Sequence, residues 1–465
     1  MPEENGTIMI NEDSVWETLG ANQRHNAEHI QEILEKAEDL SGLDPGEVAA
    51  LMGISDPELL GMMFASARSV KEEIYGRRLV LFAPLYISNL CCNECLYCAF
   101  RARNKVLSRR ALTQEEVGHE TRMLIDQGHK RLLLVAGESY PQEGFEYILK
   151  AIDTIYRIKS GNGEIRRVNV NIAPLELDEF KELKSRKIGT YQLFQETYHH
   201  ATYASVHTGG RKRDYDWRIT AMDRALTAGI DDVGIGVLFG LFDWRFEILA
   251  LLQHIAHLEQ RFGIGPHTIS VPRLEPATGS DLAAHPPFAV SDLDFRKIVA
   301  ILRLAVPYTG IIMSTREQTN IRRETFALGV SQISAGSRTN PGGYSTEERE
   351  DASQFQLGDH RSLDEVVRDI AGLGYIPSFC TACYRLGRTG HEFMELAKPG
   401  AIKCRCDPNA ISTFQEFLID YASPTTQDVG AKLIEQALAG MGETERRASE
   451  AMLAKVREGN RDVFI

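Results

Sequence analysis

Apolar residues recur along this chain in two rhythms, and the change from one to the other falls near residue 78. Residues 1–75 carry the three-to-four-residue spacing of amphipathic helices. Asp44-Pro45 and Asp56-Pro57 open two of these runs, each a capping acid followed by a proline whose fixed φ suits the first helical turn. Past residue 78, short apolar or β-branched runs predict strands at 79–88, 131–136, 167–173, 190–196, 232–238, 267–273, 310–314 and 331–335. Amphipathic helical stretches separate them. Thr113 with Glu116, Ser291 with Asp294 and Ser362 with Glu365 have the spacing of capping boxes. Eight strands, each followed by a helix, predict an α/β fold: a closed parallel (β/α)8 barrel rather than a doubly wound sheet. One misplaced strand would leave a six- or seven-unit partial barrel. The expected division is a helical extension over 1–77, the barrel over 78–375 and a mostly helical C-terminal subdomain over 376–465. Within the barrel, the polar, glycine-rich segment 337–361 reads as a long active-site loop.

Composition adds exclusions. Hydrophobic content of 43% and charged content of 25% are those of an ordinary globular protein. A formal net charge of −13 argues against non-specific nucleic-acid binding and against an anionic membrane surface. No apolar run approaches the roughly 20 residues of a membrane helix. The opening Met-Pro-Glu-Glu has neither the basic nor the apolar region of a signal peptide, so a cytoplasmic location is expected. All eight cysteines fall within 91–98 and 380–406. Thiols clustered in a large chain without a secretion signal read as metal ligands or redox pairs rather than a disulfide framework. Sensitivity to oxygen, and an anaerobic setting, follow.

The first cluster is Cys91-x3-Cys95-x2-Cys98, directly after the first predicted strand, where barrel chemistry sits. Three thiolates can hold a four-iron cluster and leave one iron open to the amino and carboxylate groups of S-adenosylmethionine (SAM). One electron then releases a 5′-deoxyadenosyl radical. Three thiolates also make most of a zinc site. The second array, Cys380-x2-Cys383 and then Cys406, suits another cluster with an open iron, a zinc site completed by Cys404 or a histidine, or a redox dithiol. Gly234-x-Gly236 lacks the third glycine of a dinucleotide fingerprint.

Longer runs narrow these choices. Tyr375-Ile-Pro-Ser-Phe-Cys-Thr-Ala-Cys-Tyr-Arg-Leu-Gly-Arg-Thr-Gly390, Lys398-Pro-Gly and Cys406-Asp-Pro-Asn-Ala410 resemble the HydG family, the radical-SAM tyrosine lyases of FeFe-hydrogenase maturation. The resemblance runs from about residue 75 to 425. It includes Gly161–Ile172, Phe194–His199, Asp231–Gly240 and Gly265–Arg273. It implies cleavage of the Cα–Cβ bond of L-tyrosine to p-cresol and a dehydroglycine fragment. That fragment yields carbon monoxide and cyanide, captured on iron for the hydrogenase cofactor. The related 2-iminoacetate synthases (ThiH) cleave the same bond without the second array in this form. A zinc-stabilised, non-catalytic barrel is the reading from another class.

By the same resemblance, Cys91, Cys95 and Cys98 hold the SAM-binding 4Fe-4S cluster, and Cys380, Cys383 and Cys406 hold an auxiliary one. His267 binds an extra iron there, although a lone histidine opening an apolar strand is ordinarily a core residue. Tyr97 occupies the family's aromatic position before the last cysteine. Gly137 and Glu138 receive the SAM ammonium and Glu196 also contacts SAM. Arg224, otherwise a solvated helix charge, is a candidate for the SAM carboxylate. Arg316 is the first candidate for the tyrosine carboxylate because its planar fork suits it, unless it serves as a partner of Glu317. Arg273 and Ser334 come second. His199, His200 and His207 read as solvated loop residues. Cys92 and Cys404 are additions the family pattern does not require, and either competes as a ligand. A reductant such as ferredoxin or flavodoxin and other hydrogenase maturation proteins are the implied partners.

Overall fold

The computed structural model describes residues 9–22, 26–346 and 352–465. The helical reading of residues 1–8 and 23–25, and residues 347–351 of the expected active-site loop, lie outside them. All eight predicted strands form: β1 (Arg78–Ser88), β2 (Arg131–Ala136), β3 (Arg167–Asn171), β4 (Tyr191–Gln192), β5 (Val233–Gly236), β6 (Thr268–Ser270), β7 (Gly310–Met313) and β8 (Val330–Ser334). Each pairs in parallel with its neighbour in sequence, and β8 returns to β1 with Val80 opposite Gln332, which closes the barrel. β4 and β6 are shorter than their apolar runs, although single backbone hydrogen bonds continue past them, from Leu193 to Gly234 and Gln195 to Gly236 after β4 and from Val271 to Ile312 after β6. After β4 the chain turns at Glu196, whose φ is +74°.

A ninth strand, β9 (Ile376–Ser378), pairs in parallel with Arg78–Val80 of β1. Pattern reading places no strand there, since Pro377 removes a ladder donor, and an edge position tolerates that loss. Four helices precede the barrel: α1 (Glu12–Ala21), α2 (Ala27–Glu38), α3 (Pro45–Met52) and α4 (Pro57–Tyr75). Asp44 caps α3 and Asp56 caps α4, as their Asp-Pro pairs predict. Thr113/Glu116 and Ser362/Glu365 form reciprocal capping boxes. Ser291 caps its helix, but Asp294 reaches back only to the Ser291 hydroxyl, at 2.7 Å. Its side chain is one methylene shorter than glutamate.

One apolar core runs from the N-terminal helices through the barrel to Leu453. A smaller cluster, including Tyr86, Tyr97, Phe100 and Leu107, packs around the first cysteine loop. The helix Lys403–Asp420, which carries Cys406 in its first turn, is held to the barrel by buried Glu416. That carboxylate pairs with Arg166 at 2.6 Å and Lys130 at 3.5 Å. Among the described residues, no helix is long and apolar enough to cross a membrane.

Candidate active site

The loop after β1 is tied at both ends by one side chain. Buried Asn89 donates to the Ser108 carbonyl at 2.7 Å and accepts from the Arg110 N–H at 2.7 Å. Inside the loop, Arg109 donates to the carbonyls of Asn89 and Phe100. Glu94 accepts from Arg101 and from the Arg103 N–H, both at 2.8 Å. The backbone carrying the cysteines is therefore held by buried polar contacts rather than by regular structure.

Cys91, Cys95 and Cys98 line a cavity of about 200 Å³ at the C-terminal ends of the barrel strands. Burial pushes the Cys91 thiol up to about 12 and raises Cys95 and Cys98 as well. Thiols so placed ionise only against a cation, which is what a bound metal centre supplies. Opposite them, Gly137 lies so near the Leu90 carbonyl that a Cβ would come within 2.2 Å of its oxygen. Glu138 accepts from Asn93 at 2.7 Å and from Arg218 at 3.1 Å. Glu196 pairs with Lys212 at 2.6 Å and lies 3.6 Å from Arg218. Burial alone would raise the Glu196 carboxyl. Lys212 and Arg218 outweigh it and hold the group below the usual range.

Tyr97 also lines this cavity. Its hydroxyl lies 2.8 Å from His207 Nε2, and His207 Nδ1 lies 2.9 Å from the Tyr203 carbonyl. A carbonyl only accepts, so Nδ1 carries the proton and Tyr97 donates to Nε2. His207 is 1% exposed, not a solvated loop residue as its sequence suggests, because its backbone bridges to Cys95 and buries the ring. His199 stacks on Phe242 and caps the helix His200–Val206. His200 alone of the three is exposed, beside Glu12.

Across the cavity, Arg316 stacks 3.3 Å from the Phe355 ring centroid, and its guanidinium has no ion-pair partner among the described residues. Ser334 lines the same wall, its hydroxyl accepting from the Thr315 N–H at 3.0 Å. Two expected residues do not reach it. Arg273, not Arg316, is the partner of Glu317, and it also pairs with Asp292 at 2.8 Å. Arg224 stacks on Trp217 and donates to the carbonyls of Leu175 and Trp217. The cations that meet the cavity carboxylates are instead Lys212 and Arg218, neither singled out by the sequence. Lys212 sits in an Arg-Lys-Arg run that reads as solvated, and Arg218 on a five-residue helix between Trp217 and Ile219.

A second cavity, of about 70 Å³, lies at the opposite, N-terminal end of the strands. Cys380 follows β9, Cys383 sits on the short helix Ala382–Arg385, and Cys406 completes the trio. His267, just before β6, lines the same cavity. Its Nε2 lies 3.3 Å from the Tyr384 hydroxyl, its Nδ1 lies 3.7 Å from Asp232, and its ring packs against Phe393. Burial lowers the His267 pKa and favours neutral imidazole, the form that ligates metal. Cys92 and Cys404 are exposed and line neither cavity. Among the described residues, no three His, Cys, Asp or Glu side chains converge closely enough to hold a single metal ion.

A barrel with a cysteine loop after its first strand and a carboxylate-lined cavity above it defines the class of radical-SAM proteins. Residues 85–252 match the Radical SAM superfamily model, and residues 270–376 match the Biotin and Thiamin Synthesis associated domain. A crystal structure of HydG, a maturase of the [FeFe]-hydrogenase, superposes with a TM-score of 0.95 at 49% identity, covering 99% of this chain and all of that one. HydG from Carboxydothermus hydrogenoformans gives 0.83 at 43% identity over 95% of this chain and 97% of its own. The 2-iminoacetate synthase of Escherichia coli is 30% identical over 77% of this chain and 93% of its length. The chain belongs to the HydG family of radical-SAM maturases.

Proposed function

We propose that the chain cleaves the Cα–Cβ bond of L-tyrosine to p-cresol and dehydroglycine. It then forms carbon monoxide and cyanide bound to iron, for assembly of the FeFe-hydrogenase cofactor. The observation that carries this reading is the pair of cysteine trios lining separate cavities at the two ends of one barrel. Cys91, Cys95 and Cys98 would hold one 4Fe-4S cluster. Cys380, Cys383 and Cys406 would hold a second, with His267 placed for an extra iron. When bound, the first cluster with SAM supplies a 5′-deoxyadenosyl radical.

The remaining roles fall to side chains. Glu138 offers a carboxylate to the SAM ammonium, and Gly137 lets the chain approach closely. Glu196, kept ionised by Lys212 and Arg218, offers a second acceptor. Arg218 takes the place expected of Arg224 among the SAM contacts. Arg316, unpaired among the described residues, receives the tyrosine carboxylate, with Ser334 on the same wall. Apolar neighbours, among them Phe100, Leu133 and Leu238, exclude water from the reacting bond.

The test is anaerobic reconstitution with iron and sulfide, followed by SAM, dithionite and tyrosine, with p-cresol, cyanide and carbon monoxide assayed together. All three products are expected. p-Cresol without carbon monoxide would favour the 2-iminoacetate synthase reaction. Stoichiometric zinc without iron would remove the radical chemistry altogether.

A further inference from the structure

Radical initiation consumes one electron from outside, and one segment beside the first cysteine array differs in sign from the chain as a whole. The chain carries a net charge of −13, yet residues 101–110 hold Arg101, Arg103, Lys105, Arg109 and Arg110 and no acid. Three of these have structural duties: Arg109 braces the loop from inside, Arg101 pairs with Glu94 and Arg110 pairs with Glu116. Arg103 and Lys105 are exposed and have no ion-pair partner among the described residues.

A second segment, residues 211–216, lies against the same loop and carries Arg213 ahead of the exposed Asp214 and Asp216. Asn93 accepts from the Ala102 N–H through its carbonyl, at 2.8 Å, and from the Lys212 N–H through its side chain, at 3.0 Å. Glu94 bonds the backbone of Thr208 and Gly209. These contacts set Arg211 and Arg213 on the other flank of the loop. Arg211 pairs with Glu176, whereas Arg213 is exposed and unpaired among the described residues. Val106, on the first basic loop, is 66% exposed, more than any other large hydrophobic residue described. Arg103 and Lys105 beside exposed Val106, with Arg213 on the segment that Asn93 ties to the same loop, offer cations and an apolar contact to an acidic partner.

We infer that this surface docks an acidic one-electron carrier protein, with Arg103, Lys105 and Arg213 supplying the attraction and Val106 the apolar contact. The inference rests on the proposed function and adds where its electron enters. The carrier loses one electron, the centre held by Cys91, Cys95 and Cys98 gains it, and no atom or proton is transferred.

The test measures reduction of that centre directly, by rapid-mixing absorbance and by electron paramagnetic resonance, in the reconstituted full-length protein without tyrosine. The reductant is either a pre-reduced acidic ferredoxin or dithionite. For the triple variant Arg103→Glu, Lys105→Glu, Arg213→Glu, the second-order rate with ferredoxin should fall about tenfold or more at low salt and lose its salt dependence. Reduction by dithionite should be unchanged. A variant carrying Lys432→Glu and Lys455→Glu, both exposed on the C-terminal helices, should keep most of the ferredoxin rate. Ferredoxin reduction of the triple variant at the wild-type rate would overturn the proposal. So would an equal loss in the lysine control, or a parallel loss with dithionite. Wild-type protein that dithionite itself fails to reduce would overturn the radical reading and the docking surface with it, a failure visible before any variant is made.

Discussion

Arg316 and Arg273 show how one contact decides whether an arginine is free for a ligand. Both stand near the ends of barrel strands, but Glu317 is spent on Arg273, which leaves Arg316 facing the cavity. Replacing Arg316 with alanine should raise KM for tyrosine roughly tenfold to a hundredfold, the value of a lost charge-assisted hydrogen-bond pair. Its Kd for SAM should stay put, and titration calorimetry beside steady-state p-cresol assays separates the two.

His129 supports a pH prediction. It is fully buried with neither ring nitrogen partnered among the described residues, and burial lowers its pKa to about 3. The folded state favours the neutral ring, so its contribution to stability is complete above the unfolded pKa near 6.5. It is lost as pH falls toward 3, by about 1.4 kcal/mol per pH unit. His129→Leu removes that dependence. The gap in Tm between variant and wild type should widen in the variant's favour from pH 7 to pH 5.

At this scale the sequence was readable where chemistry is local. Cysteine spacings and the Gly137-Glu138 pair are contiguous signals. Lys212, Arg218 and His207 are not, because each acquires its partner from a distant segment: Glu196, Glu138 and Tyr97 respectively.

Among the elements, all eight barrel strands were legible because each buries an apolar run between helices and neighbouring strands. Their lengths were not, since the same apolar residues continue into loops that line the cavity. β9 was hidden by its proline, and only its docking against the start of β1 makes it a strand. The helix Lys403–Asp420 couples this region to the barrel through Glu416, which is 1% exposed. Glu416→Ala would leave Arg166 with Asp462 at 3.5 Å and Lys130 with the Tyr421 hydroxyl at 2.8 Å, and loss of the shared carboxylate should cost about 3 kcal/mol in urea denaturation. If the helix also fixes Cys406, iron bound at the second array should drop in the same variant while SAM cleavage at the first persists.

In the whole molecule, the two arrays occupy opposite ends of one barrel, so their losses should be separable. Serine at Cys91, Cys95 or Cys98 should abolish SAM cleavage. Serine at Cys380, Cys383 or Cys406 should halve the iron content, roughly, leave p-cresol and suppress carbon monoxide. Iron analysis with product assays reads both. Loss of p-cresol from the second set would mean that the two ends do not divide the labour.

β1 is the longest of the strands that line both cavities, β2 and β8 being the others named above. Its eleven residues span roughly 33 Å, from the pairing with β9 beside Cys380 to the loop that begins at Asn89. Inserting or deleting a single residue in it would turn every later side chain from the barrel interior to the helix layer. The strand thus acts as a fixed ruler between the two cavities. A redesign that seeks to move one site relative to the other must therefore start from a different barrel.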